Sequence, residues 1–189
     1  MHPGCSQSVR RAAARTAHGP AKLPRLTRGV TGGALVLHGP VREGADRSRG
    51  PTFADDGETP TGSVHIVDLP DPAAARAFAF DEPTYQAGAY RDVLLRRWRN
   101  VLGRTMWDFP GDRSGGNRYL VLGLGEGQAA DLALPPDQDE LIAYGPLLSD
   151  DGDTWLGTAV LLTAPDPDTA RAALSSERYA DIEAELSGP

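Results

Sequence analysis

The sequence predicts an α+β fold in which one small unit occurs twice in tandem. Residues 55–77 align with residues 150–172 without a gap, and 11 of the 23 paired positions are identical. Both copies also follow the same order of apolar runs, turn residues and helix starts. An agreement of this length and order indicates an internal duplication.

Each copy contains a short apolar run, at 34–38 or 141–144, that ends at a Gly-Pro pair. This pattern is typical of a strand followed by a turn. The Asp-Asp-Gly stretches that come next predict tight turns, because Asp and Gly tolerate the left-handed backbone of such loops. Second strands are then predicted over 63–68 and 158–163.

A helix start follows each second strand. Asp71 and Asp166 are placed to cap free backbone N–H groups, and each precedes a proline, whose fixed φ suits the first helical position. The good helix formers that follow predict helices over 73–80 and 169–174. Pro83 is expected to end the first of these helices.

A last strand over 90–98 completes the first copy, and an opening strand over 118–123 begins the second. Strand, helix, strand, strand, helix, strand is the ferredoxin-like order. Its four-stranded sheet leaves an apolar face exposed, so the two copies are expected to pack sheet against sheet as an internal pseudo-dimer. The expected organisation is a poorly ordered leader (1–9), unit 1 (10–103), a linker (104–116) and a degenerate unit 2 (117–189).

The composition is that of an acidic globular protein. The net charge of −7 and the pI of about 5.0 argue against nucleic acid as a partner. Basic residues are nevertheless concentrated at the start, where seven occur before the first acidic residue, Glu43. A nucleic-acid arm and an organelle transit peptide are the alternatives for this segment. We interpret it as a solvated helix face preceded by a leader.

No apolar run approaches the ~18 residues of a membrane span, and the N-terminus lacks the apolar core of a secretory signal. Cys5 is the only cysteine, which excludes an internal disulfide. These features predict a cytoplasmic protein with no membrane partner.

The first copy also lacks the apolar strand expected before residue 10, so either this strand has diverged or the true start lies upstream.

Four motifs of the first copy occur in the order and spacing of a known family. They are Arg15-Thr16-Ala17-His18, Gly39-Pro40, Thr61-Gly62-Ser63 and the stretch 83–93, to which the second copy adds Gly-Pro-Leu-Leu-Ser-Asp-Asp-Gly at 145–152. These motifs resemble those of the YciI-like (YCII-related) family over residues 11–102 and, less closely, over 117–186. Glu82 and Ser149 stand where the family usually has Asp, and Thr84 is inserted.

The resemblance implies ferredoxin-like units that pair into a dimeric α/β barrel. Here the chain would be a monomer that acts as a pseudo-dimer, with a homodimer as the alternative. The resemblance also implies catalysis through a His–carboxylate pair. One relative is a dehydrochlorinase of chlorinated hydroxyquinols, while most members have no assigned reaction. We expect a lyase or isomerase that acts on a small organic acid without a cofactor; the alternative is a non-catalytic module that binds a small molecule or another protein.

His18 is the candidate general base, because the pKa of an imidazole lies near neutrality and a carboxylate would stabilise its charged form. The candidate carboxylates are Glu43, Asp55 and Asp56. The alternative is that Gly19 and Pro20 fray the helix and leave His18 on the surface. The second copy contains no histidine, so we expect any active chemistry in the first copy.

His38 and His65 are predicted on adjacent, antiparallel strands, and with Tyr85 they are the candidate substrate-binding residues. Convergence with His18 would give a three-histidine metal pattern. Two histidines on one sheet face are the commoner arrangement, so no metal is expected. The Gly-Leu-Gly-Glu-Gly segment at 123–127 is interpreted as a flexible turn rather than a phosphate loop. The three tryptophans are expected at the interface between the copies or at its edge.

Overall fold

The computed structural model describes residues 33–39, 48–54, 56–90, 92–102, 109, 117–128, 139–174 and 179–187. The first half contains β1 (Gly33–Gly39), β2 (Ser48–Phe53), β3 (Pro60–Asp68), α1 (Pro72–Phe80), α2 (Pro83–Gln86) and β4 (Val93–Trp98). The second half contains β5 (Asn117–Gln128), β6 (Leu141–Leu148), β7 (Thr154–Ala164), α3 (Pro167–Ala172) and β8 (Asp181–Ser187). The α+β class predicted from the sequence is confirmed.

The eight strands form one closed barrel in the order β1-β3-β2-β8-β5-β7-β6-β4. Two short seams join the halves, one between β4 and β6 and the other between β2 and β8. At the first seam Trp98 lies opposite Leu147, and at the second Phe53 lies opposite Leu186. The halves are therefore hydrogen-bonded through their sheet edges, while their inner faces line one shared interior.

One hydrophobic core fills this interior and takes side chains from six strands and both halves. Leu37 of β1 and Leu147 of β6 are its most deeply buried members. Trp98 also lies in this core, and its indole Nε1 donates a hydrogen bond to the carbonyl oxygen of Gly145 at 3.1 Å. The predicted place of Trp98 at the interface is confirmed. Trp155 instead packs against Tyr179 of its own half, and Trp107 lies outside the described residues.

The outer faces of the two halves are covered by α1 and α3. Ala79 of α1 packs with Val36 and Val67, and Ala170 of α3 packs with Val121 and Val160. Both helices begin with the predicted proline, and both predicted caps are confirmed. Each capping aspartate accepts a hydrogen bond at 2.8 Å from the backbone N–H three residues later.

The turns before β3 and β7 have the same hydrogen bonds at the offset of 95 residues. Ala54 N donates to Thr59 O at 2.9 Å, as Ser149 N does to Thr154 O at 3.0 Å. The central glycine of each turn has a positive φ, 70° at Gly57 and 89° at Gly152. Asp56-Gly57 and Asp150-Asp151-Gly152 therefore lie in the tight turns that the sequence predicts.

The direction of β1 differs from the prediction. The strand lies beside β3, as expected, but runs parallel to it and also to β4, whereas β6 is antiparallel to β7. The cause is β2, a strand that we did not predict. It pairs antiparallel with β3, where β1 was expected to do so. Because the chain reverses once into β2 and again into β3, β1 and β3 have the same direction.

Three local predictions were wrong. Gly145-Pro146 lies inside β6 rather than at its end, because the chain after β4 continues alongside and donates from Arg99 N to Pro146 O at 3.2 Å. Segment 123–127 is part of β5 rather than a turn: Gly123 and Leu124 pair with both β7 and β8, and Gly127 pairs with β7. Pro83 begins α2, and α1 has already ended at Phe80. No helix in the described ranges is long and apolar enough to cross a membrane.

Candidate functional site

The structure describes four of the seven predicted site residues. They are Asp56 in the turn before β3, His38 on β1, His65 on β3 and Tyr85 on α2. The other three lie outside the described residues, and their roles stay predictions: His18, Glu43 and Asp55.

The carboxylate of Asp56 is engaged in its own turn. It accepts hydrogen bonds from the backbone N–H of Glu58 at 2.9 Å and of Thr59 at 2.8 Å, and from the Thr59 hydroxyl at 2.6 Å. These bonds, with the Thr59 hydroxyl first, lower the pKa of Asp56 from 3.8 to about 2. A carboxylate so weakly basic and already hydrogen-bonded is better suited to holding the turn than to accepting a proton.

Replacing Thr59 with valine is expected to raise the pKa of Asp56 from about 2 towards 3.8, because the largest cause of the shift is removed. In the wild type, the stabilisation that Asp56 gives is complete above the unfolded-state pKa and is lost as the pH falls from 3.8 towards 2. A carboxyl-detected NMR titration measures both midpoints. Thr154→Val, which changes the equivalent residue of the other turn, is the control and should leave the midpoint of Asp56 unchanged.

His38 lies on the outer face of β1, on the same side as Val36, and is only 3% exposed. Its Nε2 atom is buried and has no hydrogen-bond partner among the described residues. A buried polar atom without a partner costs stability, so such a group is a candidate for a functional role.

Charged groups from both halves act on this imidazole. Burial lowers the pKa of His38 below 6.5, the carboxylate of Asp150 opposes this, and the guanidinium groups of Arg97 and Arg76 lower the pKa further. The imidazole is therefore neutral at pH 7, the form in which it accepts a proton.

Asp150 links these groups across the junction of the halves. It belongs to the turn between β6 and β7, its carboxylate is ion-paired with Arg76 of α1, and its carbonyl oxygen accepts from Arg97 Nη1 at 3.1 Å. The side chains of Arg76 and Asp150 are 55% and 48% exposed, so this edge of the cluster is open to solvent. We name His38, Arg76, Arg97 and Asp150 the junction site.

His65 lies on the same outer face as His38, on the neighbouring strand, in a register that places Val67 directly opposite His38. Its Nε2 atom is 3.2 Å from the Ser63 hydroxyl, and its ring contacts the edge of Phe78. Tyr85 packs against Phe80.

The described residues contain no group of three His, Cys, Asp or Glu side chains arranged to hold a metal ion.

Sequence reasoning missed Arg76, Arg97 and the part that Asp150 takes in the site. Asp150 belongs to the Asp-Asp-Gly motif, which we interpreted only as a turn. No local pattern marks the arginines, because Arg76 and Asp150 are 74 residues apart and meet only when the barrel closes.

These features define a small α+β barrel protein with a polar cluster where its two halves meet. The sequence pattern of the YCII-related domain family matches residues 5–99, half of the chain. The chain belongs to this family. Neither the curated proteins nor the solved structures give a match.

Proposed function

We propose that this protein is an acid–base catalyst of the lyase or isomerase type that acts on a small organic acid without a cofactor. The observation that carries the proposal is the buried imidazole of His38, whose Nε2 atom has no partner among the described residues and which is acted on by the charges of Arg97, Arg76 and Asp150. A neutral imidazole removes a proton, and arginine is suited to holding a carboxylate. The match to the YCII-related family places the chain in that family and assigns no reaction.

The roles divide between the halves. Arg97 and Arg76 hold the carboxylate of the acid, His38 transfers the proton, and Asp150 stabilises the imidazolium that forms. His38 is 3% exposed, so a substrate has to displace groups that cover it, and we propose that the exposed Arg76–Asp150 pair opens to admit the acid. The predicted base His18, with Glu43 or Asp55, remains part of the proposal as a second imidazole–carboxylate pair that acts on the same substrate.

We also propose that the two halves are copies of one ferredoxin-like unit and form an internal dimeric α/β barrel. The shared turn hydrogen bonds and shared helix caps at the offset of 95 residues support this. The sheet of the second half has the order β8-β5-β7-β6 with every pair antiparallel, which supports a ferredoxin-like unit. The first half departs from it, since β1 runs parallel to both of its neighbours. A monomer that acts as a pseudo-dimer follows from this proposal.

A thermal-shift screen with small mono- and dicarboxylic acids tests the catalytic proposal. Acids that bind are expected to raise the melting temperature of the wild type. Arg97→Gln should lose this shift, whereas His38→Gln should keep it and lose conversion of the acid, followed by NMR, by a factor of about 100 to 10,000. His18→Ala, measured beside them, tests whether the second pair contributes to conversion of the acid.

Arg171→Gln is the matched control, because Arg171 forms an ion pair within α3, with Asp168 at 2.8 Å, away from the junction site. The proposal is wrong if the acids stabilise Arg97→Gln as well as they stabilise the wild type.

A second candidate function is a binding module without catalysis. The observation that favours it is the burial of His38, since a histidine without solvent contact also suits a purely structural place. Stabilisation by acids that the protein never converts, with equal shifts in the wild type and His38→Gln, would support this function.

A further inference from the structure

The two halves each contain a hydroxyl side chain bonded to a tyrosine on the outer face of the sheet. In the second half Tyr179 Oη and Thr158 Oγ1 are 2.9 Å apart, and Thr158 has no solvent exposure. In the first half Ser63 Oγ and Tyr90 Oη are 3.0 Å apart, and both residues are only partly buried. Ser63 and Thr158 are equivalent positions at the offset of 95 residues.

The first half adds a histidine to this pair. His65 lies two residues after Ser63 on the same face of β3, and its Nε2 atom is 3.2 Å from Ser63 Oγ. The equivalent residue in the second half is Val160, a buried core side chain. The second half thus has the hydroxyl–tyrosine pair without a histidine, whereas the first half has the same pair beside an imidazole and is only partly buried.

An aromatic ring and nearby charged groups surround the imidazole of His65. Phe78 of α1 meets the ring edge to face, with centroids 5.7 Å apart. Burial lowers the pKa of His65 below 6.5, the carboxylate of Glu82 opposes this, and Arg49 on β2 lowers it further. The Ser63 hydroxyl donates to Tyr90 Oη at 3.0 Å and lies 3.2 Å from His65 Nε2. A hydroxyl rotates about its C–O bond, so the same proton can instead be donated to a neutral Nε2, which accepts it.

We propose that Ser63 is an acyl-accepting nucleophile with His65 as its general base, and that the site takes a small acyl ester. A serine hydroxyl within hydrogen-bond distance of an imidazole, whose ring is oriented by further groups, is the arrangement that activates such a nucleophile. Glu82 stabilises the imidazolium that forms, and Tyr90 positions the serine oxygen. This proposal is independent of the junction site.

In the first step Ser63 Oγ forms a bond to the acyl carbon and its proton moves to His65 Nε2. The bond between the acyl carbon and the leaving oxygen breaks, and the imidazolium returns the proton to the leaving alcohol. Water then attacks the acyl-serine by the same route, releasing the acid and restoring the hydroxyl.

The experiment treats the full chain with para-nitrophenyl acetate and locates the acetyl groups by peptide mass spectrometry over time. We expect acetyl-Ser63 in the wild type and none at this position in Ser63→Ala. His65→Val, which introduces the residue of the second half, should slow the acetylation of Ser63 by a factor of about 100 to 10,000. His65→Gln provides the same measurement if the valine variant does not fold.

Thr158→Val is the matched control, because it removes the equivalent hydroxyl from the half that has no histidine, and it should leave the rate unchanged. Acetyl groups found only on other side chains would overturn the proposal. An equal rate of Ser63 acetylation in the wild type and a folded His65 variant would also overturn it, since the serine would then react without a base.

Discussion

Replacing Gly145 with alanine is expected to lower the free energy of unfolding by about 3 kcal/mol or more. A Cβ atom at this position would lie 1.8 Å from the carbonyl oxygen of Arg99 and 2.7 Å from its carbonyl carbon. Both are backbone atoms, so no side-chain rotation relieves the overlap. The seam between β4 and β6 has to separate, and with it the hydrogen bond from Trp98 to Gly145.

Urea unfolding, followed by circular dichroism, measures this decrease in the free energy of unfolding. Gly50→Ala is the matched control, because Gly50 is also a strand glycine but has no atom within 4 Å of an added Cβ. It should change stability by less than about 1 kcal/mol. Equal stability of the two variants would show that the close approach between the halves is absent in solution.

Replacing Leu37 with alanine is expected to cost about 2 to 5 kcal/mol, because it leaves a cavity in the core of the barrel. Leu37 is 0% exposed and packs in a cluster to which both halves contribute. A loss of contacts there destabilises the second half as much as the first. We therefore expect one unfolding transition, shifted as a whole.

Native-state hydrogen exchange shows whether both halves lose stability in the Leu37→Ala variant. The amides of Val121 and Val160, in the second half, should lose protection together with those of β1 and β3. Leu95→Ala is the control, since Leu95 is only partly buried and belongs to the outer cluster under α1. Loss of protection confined to the first half would mean that the halves unfold separately and that the barrel is not one cooperative unit.

Much of the local structure is readable from the sequence because short-range chemistry determines it. The caps at Asp71 and Asp166 and the positive φ at Gly57 and Gly152 depend on residues within a few positions. The strands predicted over 63–68 and 158–163 lie inside β3 and β7.

Long-range pairing is not readable in this way. The parallel direction of β1 depends on where β2 inserts, and nothing in the apolar run at 34–38 specifies it. Gly145 was interpreted as a turn residue, but the structure shows that it is small because another backbone passes over it. Glycine is found both in turns and where another backbone passes close by, and the sequence alone does not show which of these two reasons applies.

In the candidate site, too, some features are readable from the sequence and others depend on long-range pairing. His38 and His65 were predicted on adjacent strands, and this is correct. The charged groups that act on His38 come from segments far apart in the chain, and the hydroxyl–tyrosine pair of the first half joins residues 27 positions apart. Titratable residues are visible in a sequence, whereas the charges around them depend on how the barrel closes.

One chain supplies all eight strands of the barrel, so each of its residues occurs once around the ring. In a barrel built from two identical subunits, every substitution appears twice, and a change that improves one cleft alters the opposite one in the same way. A single chain is free of this constraint. The histidine at position 65 and the valine at position 160 occupy equivalent places and differ, so one face of the molecule can acquire new reactivity while the other retains the packing that keeps it folded.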